Sequence, residues 1–304
     1  MSEWSWERDS AFRVAAMDHV RRHADELGGT VTRSVLEEFV FDGMRIPLIA
    51  RQQGIRNPQM LPATLSIGTY LGSPYADELG EDGFLRYDMR AGDPHRGDNR
   101  KLRIACERGV PLIYFEQQRD RTFLPYLPVY LAREEPALRR FVLAIEQDQY
   151  LLARRFEMGE SEIERRFAEQ MTKRRLHQPR FRANVMIAYT RRCALCSLAH
   201  PDLLDAAHIT PDADESATAA TSNGIAMCKI HHAAYDRSIL GITPDYVIKV
   251  DREVLHEVDG PMLKHGIQEL HDQELRVLPR SLRERPDRER LAVRYDMFLN
   301  RTSR

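Results

Sequence analysis

The spacing of apolar positions changes along the chain, and the change predicts the order of elements. Over 10–27, Phe12, Val14, Ala15, Ala16, Val20 and Leu27 are interspersed with charge and end at Gly28-Gly29. This predicts a helix with a glycine stop. A second helix over 32–39 has Thr32 as its cap, then a turn at 40–43 and a strand over 45–49 follow. From there the texture is β. Residues 83–87 alternate like a half-exposed strand, a polar loop covers 90–100, and a short helix over 101–108 closes at Gly109. Apolar strands follow at 110–115 and 126–131.

The segment from 134 to about 176 reads as a charged helical connector. In it Glu157, Glu160, Glu162 and Glu164 interleave with Arg154, Arg155, Arg165 and Arg166, a pattern that suits solvated helix faces. A helix over 181–189 leads to a short apolar strand at 203–209, a polar loop to 222 and a helix through His231, His232 and Asp236. Short strands at 239–242, 245–250 and 275–278, a turn and helix at 260–266, and a terminal helix over 286–299 complete the reading.

This order predicts an α+β protein with an N-terminal mixed β-barrel-like domain and flanking helices over 1–150. A helical connector over 151–176 and a C-terminal metal-stabilised domain over 177–304 follow. A length of 304 residues suits about two domains.

Charge narrows where partners could bind. With 45 Lys+Arg against 46 Asp+Glu, the chain is no polycation, so a nucleic-acid surface must be local. Two stretches qualify. Lys173, Arg174, Arg175, Arg180, Arg182, Arg191 and Arg192 run without an acid among them, and Arg96, Arg100 and Lys101 cluster with Arg90 and Arg103. A solvated linker is the plainer explanation of the first. No apolar run approaches the ~20 residues of a membrane span, and no basic-then-apolar leader begins the chain. These features, with cysteines in metal rather than disulfide spacing, predict a cytoplasmic protein without membrane contact.

Candidate chemistry lies in 193–236. Cys193 and Cys196 form a C-x-x-C pair, and Cys228 and His231 form C-x-x-H. Two-residue gaps let paired ligands turn onto one ion. Three thiolates with one imidazole suit a closed, tetrahedral, structural Zn²⁺ site. The plainer alternative is four unrelated buried residues. Between the knuckles lie a strand histidine, His208, then Asn223-Gly224 and the His231-His232 pair. A purely structural finger needs four ligands and has no use for these extra groups.

This order closely resembles the HNH nucleases, whose site is a ββα-metal finger. The resemblance runs from about 181 to 250 and only weakly into the tail. It implies a metal-dependent phosphodiester hydrolase acting on double-stranded DNA. By it, His208 is the general base, Asn223 fixes the loop and orients the base, and His232 helps hold a catalytic divalent ion (Mg²⁺, Mn²⁺ or Ni²⁺). Many members carry a metal-binding His or Asp just before the base, where this chain has Ala207. Asp205, two residues earlier, is the expected substitute ligand. Asp236, four residues beyond His232, either orients it or solvates the helix.

The N-terminal texture and domain order resemble the domains that often precede bacterial HNH nucleases, related to the PUA/SRA-like readers of modified bases. A reader of this kind would need aromatics such as Tyr70, Tyr75, Tyr87, Tyr114 and Phe115. It would also need polar groups such as Asp88, Asp93, His95, Asp98 and Asn99. The expected function is a restriction or defence endonuclease, a homodimer, that cleaves modified DNA selected by residues 1–150. The alternatives are an HNH nuclease for an unmodified site and a non-catalytic, zinc-stabilised DNA-binding protein.

Overall fold

A computed structural model describes residues 4–50, 54–71, 84–155, 162–210 and 220–302. Tyr75, Glu157, Glu160 and the side chain of Lys173, all singled out above, lie outside the described residues. The chain divides into two compact units: Met1–Asp25 with Gly29–His177, and Glu26–Gly28 with Gln178–Arg304. The fold class is α+β.

In the first unit, helix α1 (Trp6–Glu26) buries Phe12, Ala16, Val20 and Ala24, a strict four-residue spacing. Its Asp9–Arg13 pair is fully buried. Arg13 also donates to the carbonyls of Ala63, Thr64 and Pro111, so neither charge is left uncompensated. Thr32 caps α2 (Arg33–Glu37), accepting from the Val35 amide. A small hairpin of β1 (Val40–Phe41) and β2 (Met44–Arg45) follows; residues 46–49, expected as a strand, are irregular but supply buried Ile46, Leu48 and Ile49 to the core.

The main sheet comprises β3 (Ile55–Arg56), β4 (Ser66–Thr69), β5 (Leu85–Asp88), β6 (Leu112–Gln117), β7 (Phe123–Glu135) and β8 (Arg140–Ile145). Their order is β3-β4-β6-β7-β8-β5, with only β4 and β6 parallel. Register shifts at Leu112/Tyr114 and Leu131/Arg133 mark bulges, which bend strands and raise their twist. The sheet curls. The Tyr87 hydroxyl on edge strand β5 donates to the Gly54 carbonyl beside the opposite edge strand β3, at 3.1 Å. Gly54 is required there, because a Cβ would lie 2.8 Å from the Gly68 carbonyl oxygen and 3.0 Å from the Tyr87 hydroxyl.

Two further expectations fail in this unit. Residues 134–145 are not a helical connector but the end of β7 and all of β8. Their charges sit on the strands: Glu134 pairs with Arg103, and Glu135 with Arg86 and Arg140. Second, helix α3 (Gly97–Arg108) takes in the end of the 90–100 loop. Asn99 on α3 is buried and holds the remaining loop through the Arg90 amide and carbonyl and the Asp93 carbonyl. After β8 come α4 (Gln147–Arg155) and α5 (Glu162–Ala188), which continues through Pro179. Gln149 of α4 is fully buried, donates to the Thr172 hydroxyl of α5 and accepts from the Ile145 amide.

The second unit contains the end of α5 and an antiparallel pair of β9 (Leu204–His208) and β10 (Gly224–Cys228). Helix α6 (Lys229–Asp236) and a second pair, β11 (Leu240–Ile242) with β12 (Ile248–Val250), follow. Short helices α7 (Arg252–His256) and α8 (Pro261–Gly266) precede the terminal α9 (Arg288–Thr302). Residues 275–278, expected as a strand, are irregular, and the pairing there is a single bridge from Val247 to Glu274. The core joins Phe181 and Val185 of α5, and Tyr189 just past its end, to Ile225 and Met227 of β10, Tyr235 of α6 and Leu291 of α9.

Candidate active site and metal centre

β9, β10 and α6 form a ββα unit, with His208 paired to Gly224 and Leu204 to Cys228. The Cys193–Cys196 knuckle is fastened to it by the Ala194 amide, which donates to the Ala226 carbonyl at 2.7 Å. This places Cys193, Cys196, Cys228 and His231 with their ligand atoms within 4.8 Å of one another. Three of the four residues are buried, so the site is closed to substrate. His231 Nε2 lies 2.8 Å from the Gly266 carbonyl oxygen. A carbonyl can only accept, so Nε2 carries the proton and Nδ1 turns its lone pair to the thiols, 3.2 Å from Cys228 Sγ and 3.4 Å from Cys193 Sγ.

The thiols alone cannot all ionise. Hydrogen bonding with Cys193 and Cys228 pushes the Cys196 thiol up, while hydrogen bonds from Cys193 and Cys196 hold Cys228 low. A divalent cation relieves that competition, and this donor set suits zinc. Among the described residues it is the sole cluster of three or more His, Cys, Asp or Glu with converging ligand atoms.

His208 ends β9 and is partly exposed. Its ring stacks on Phe181 of α5, with centroids 3.9 Å apart and planes 10° from parallel. Asn223 is fully buried. Its Oδ1 accepts from the Thr210 amide at 2.9 Å, and its backbone carbonyl accepts from the Ile209 amide at 2.9 Å. Asn223 therefore clamps the two residues that follow His208. Gly224 faces His208 across the pair, and a Cβ there would lie 2.4 Å from Val185 Cγ2 and 2.7 Å from Phe181 Cζ. The absent side chain leaves room for the Phe181 ring that supports His208. Gly224→Ala is expected to cost about 1–3 kcal/mol by overpacking and to lower turnover as well, read by thermal melting and single-turnover cleavage. Wild-type values of both would refute this role for Gly224.

His232 lies between two carboxylates. Nδ1 is 3.3 Å from Asp205 Oδ2, and Nε2 is 3.4 Å from Asp236 Oδ2. Asp205 also receives Arg182 at 3.3 Å, and Ala207, the position occupied by a ligand in many HNH proteins, is buried in the core. All three of Asp205, His232 and Asp236 are at least a quarter exposed, so this patch is open where the thiolate site is closed.

The basic candidates separate by partner. Lys101 donates to the carbonyls of Pro58 and Leu61, both at 2.6 Å, and works as a loop tie. Arg175 binds the Ile145 carbonyl and Glu146, Arg182 binds Asp205 and the Pro201 carbonyl, and Arg191 donates to the Leu27 carbonyl. Arg174, Arg192, Arg96 and Arg100 are exposed, Arg96 beside Asp93 and Arg192 reaching the Ser197 carbonyl; Arg180 is half-buried. Tyr87, Tyr114 and Phe115 are buried, and the Tyr70 hydroxyl donates to the Ala50 carbonyl. The sequence reading missed Phe181 as the support of His208 and the Gly266 carbonyl as the support of His231. The first had a signal in the glycine that faces His208; the second had none.

A ββα unit with a closed Cys₃His cluster, a strand-end histidine and a carboxylate-flanked helix histidine is the architecture of a metal-dependent nuclease finger. Residues 193–243 match the family model described as HNH endonuclease, and the protein carries an HNH endonuclease module. No curated protein matches the chain. Among solved structures, a "Modification dependent TagI restriction endonuclease" is 18% identical with a TM-score of 0.31, covering 82% of this chain and 86% of that one. The "Type IV phosphorothioation-dependent restriction endonuclease ScoMcrA" is 15% identical with a TM-score of 0.25, covering 91% of this chain, which spans 64% of that one. No helix among the described residues is long and apolar enough to cross a membrane.

Proposed function

We propose that the protein is a DNA endonuclease of restriction or defence type that cuts modified duplex DNA. The observation that carries the reading is that His208, Asn223 and His232 are kept beside a complete Cys₃His cluster that uses none of them. A DNA-binding finger held by zinc alone would have no call on these three.

In this reading Cys193, Cys196, Cys228 and His231 hold a structural Zn²⁺, and Asp205 with His232 holds the catalytic divalent ion. A hard carboxylate oxygen beside an imidazole suits such an ion, which when bound supplies positive charge against the scissile phosphate. His208 takes the proton from the attacking water; an imidazole has the affinity for that task near neutral pH. Phe181 holds the ring by stacking, and Asn223 fixes the backbone beyond it. Asp236 orients His232 from the opposite ring nitrogen. Exposed Arg192 grips phosphates near the module, with Arg180 on the same unit; exposed Arg174, with Lys173 beside it in sequence, Arg96 and Arg100 do so on the first unit.

A ββα finger grips mainly phosphates, which carry no sequence information. Selection is therefore assigned to residues 1–150, with 177–304 cutting. The curled sheet and its bulges support a barrel-like, PUA/SRA-like reader there. Cleavage of both strands with one site per chain is supplied by a two-fold homodimer.

The test uses matched plasmids that differ only in base or backbone modification, incubated with the zinc-loaded full chain and Mg²⁺, Mn²⁺ or Ni²⁺. Faster cleavage of one modified plasmid is expected. Equal cleavage of all plasmids would remove the selectivity, and no cleavage with any ion would remove the nuclease assignment.

A further inference from the structure

The C-terminal segment of the second unit is strongly basic and is hydrogen-bonded to Thr210 and Ser222, close in sequence to His208 and Asn223. Between Arg280 and Arg294 there are six arginines against Glu284, Asp287 and Glu289. The Asp287 amide donates to the Ser222 carbonyl at 2.9 Å, and Arg290 donates to the Thr210 hydroxyl at 3.0 Å. Ser222 adjoins Asn223, and Thr210 lies two residues past His208 and is clamped by Asn223. The segment is thus attached on both sides of the residues that position His208.

A cleft of about 540 Å³ opens at this junction, walled by Ser222, Tyr246, Arg283, Arg285 and Arg288. Two acids also line it. Asp287 is already engaged, since its Oδ1 accepts from the amides of Glu289 and Arg290. Glu289 is exposed at the start of α9. Arg285 is oriented by the Pro279 carbonyl, which accepts from its Nε at 3.1 Å. Arg288 lies over the Tyr246 ring at 5.3 Å and reaches the exposed Asp245. Arg283 is exposed, and no acidic side chain pairs with it among the described residues. Arg285 is held by a carbonyl, and Arg288 by a ring and an ion pair with Asp245 at 3.0 Å that is largely exposed on both sides and so open to displacement by a phosphate; on the wall of an open polar cleft such guanidiniums suit phosphate oxygens, which accept the forked geometry of Arg.

We infer that this arginine-walled cleft receives a backbone phosphate of the DNA, flanking the scissile phosphate at His208. The inference rests on the nuclease reading and adds a substrate subsite to it, in a part of the chain where the family match ends at residue 243. The cleft sets the register of the strand by charge and fork geometry and reads no base.

The test is salt-dependent binding of a duplex by full-length protein made non-cutting by His208→Ala. Each phosphate contact adds about 0.9 to the slope of log K against log salt. Replacing Arg283 and Arg288 together by Gln should lower that slope by about one to two and weaken binding roughly tenfold at fixed salt. The corresponding Lys variants should retain most of the slope, because they keep the charge. Arg283→Gln alone disturbs no internal ion pair and should lower the slope by about one. Zinc content and melting temperature of each variant guard against misfolding. An unchanged slope in the folded Gln variants overturns the subsite. Because binding is measured without cutting, a wild-type protein that fails to cleave would count against the nuclease reading separately.

Discussion

Cys193→Ala will yield a protein whose second unit has lost its metal and is degraded by protease. Cys193 is fully buried and stands 3.4 Å from His231 Nδ1, in the middle of the ligand cluster. The strand pair that carries Cys228 is only five residues long on each side. Structural zinc in small modules contributes on the order of 10 kcal/mol or more of folding free energy, which is comparable to the usual stability of a whole domain. Removal of this ligand also leaves a buried thiol, a half-buried one and a buried imidazole without the ion. Chelation of the wild-type protein should have the same effect, more readily at low pH, because protons compete with the ion for thiolate and imidazole. Metal analysis should find one zinc per chain in the wild type and none in the variant, and limited proteolysis should remove the second unit. A metal-free Cys193→Ala protein that resists protease would end the structural role of the cluster.

His208→Ala should lower single-turnover cleavage by about 10²–10⁴-fold, the usual contribution of a positioned base, while folding and duplex affinity hold. His208 is partly exposed at the strand end, and its loss removes the stack on Phe181, about 0.5–1.5 kcal/mol. Asp205→Asn should fail by another route. Its carboxylate touches His232 and Arg182, so the variant should need more divalent ion to reach a given rate. Raised Mn²⁺ should then restore part of its activity and none of that of His208→Ala. Cutting by His208→Ala at the wild-type rate would displace it as the base, and an unchanged ion requirement would remove Asp205 from the site.

The two results would also separate what each carboxylate neighbour of His232 does. Asp236 shares a helix with His232 and approaches from the far nitrogen, so it can orient the ring. Asp205 reaches it from the strand, where the ion-facing role is assigned.

The sequence by itself determined the parts in which neighbours in space are also neighbours in the chain. Knuckle spacing set each half of the Cys₃His cluster, because a two-residue gap lets both ligands of a pair turn onto one ion. Thr32 marked the start of α2, and the apolar run from Phe12 with its Gly28-Gly29 stop marked α1. The order His208, Asn223, His232 likewise survives as the ββα unit. Tertiary structure decided the rest. Glu134 and Glu135 read as a charged helix until Arg103, Arg86 and Arg140 meet them across a sheet, since pairing to distant arginines leaves no periodic trace. Lys101 and Arg182 look like phosphate ligands until the Pro58 and Leu61 carbonyls and Asp205 take up their charge. Phe181 beneath His208, Gly266 behind His231, and the arginines past residue 280 beside Ser222 were likewise set by long-range packing. Local spacing specifies ligands, but which charges remain free for DNA depends on partners that only the folded chain brings together.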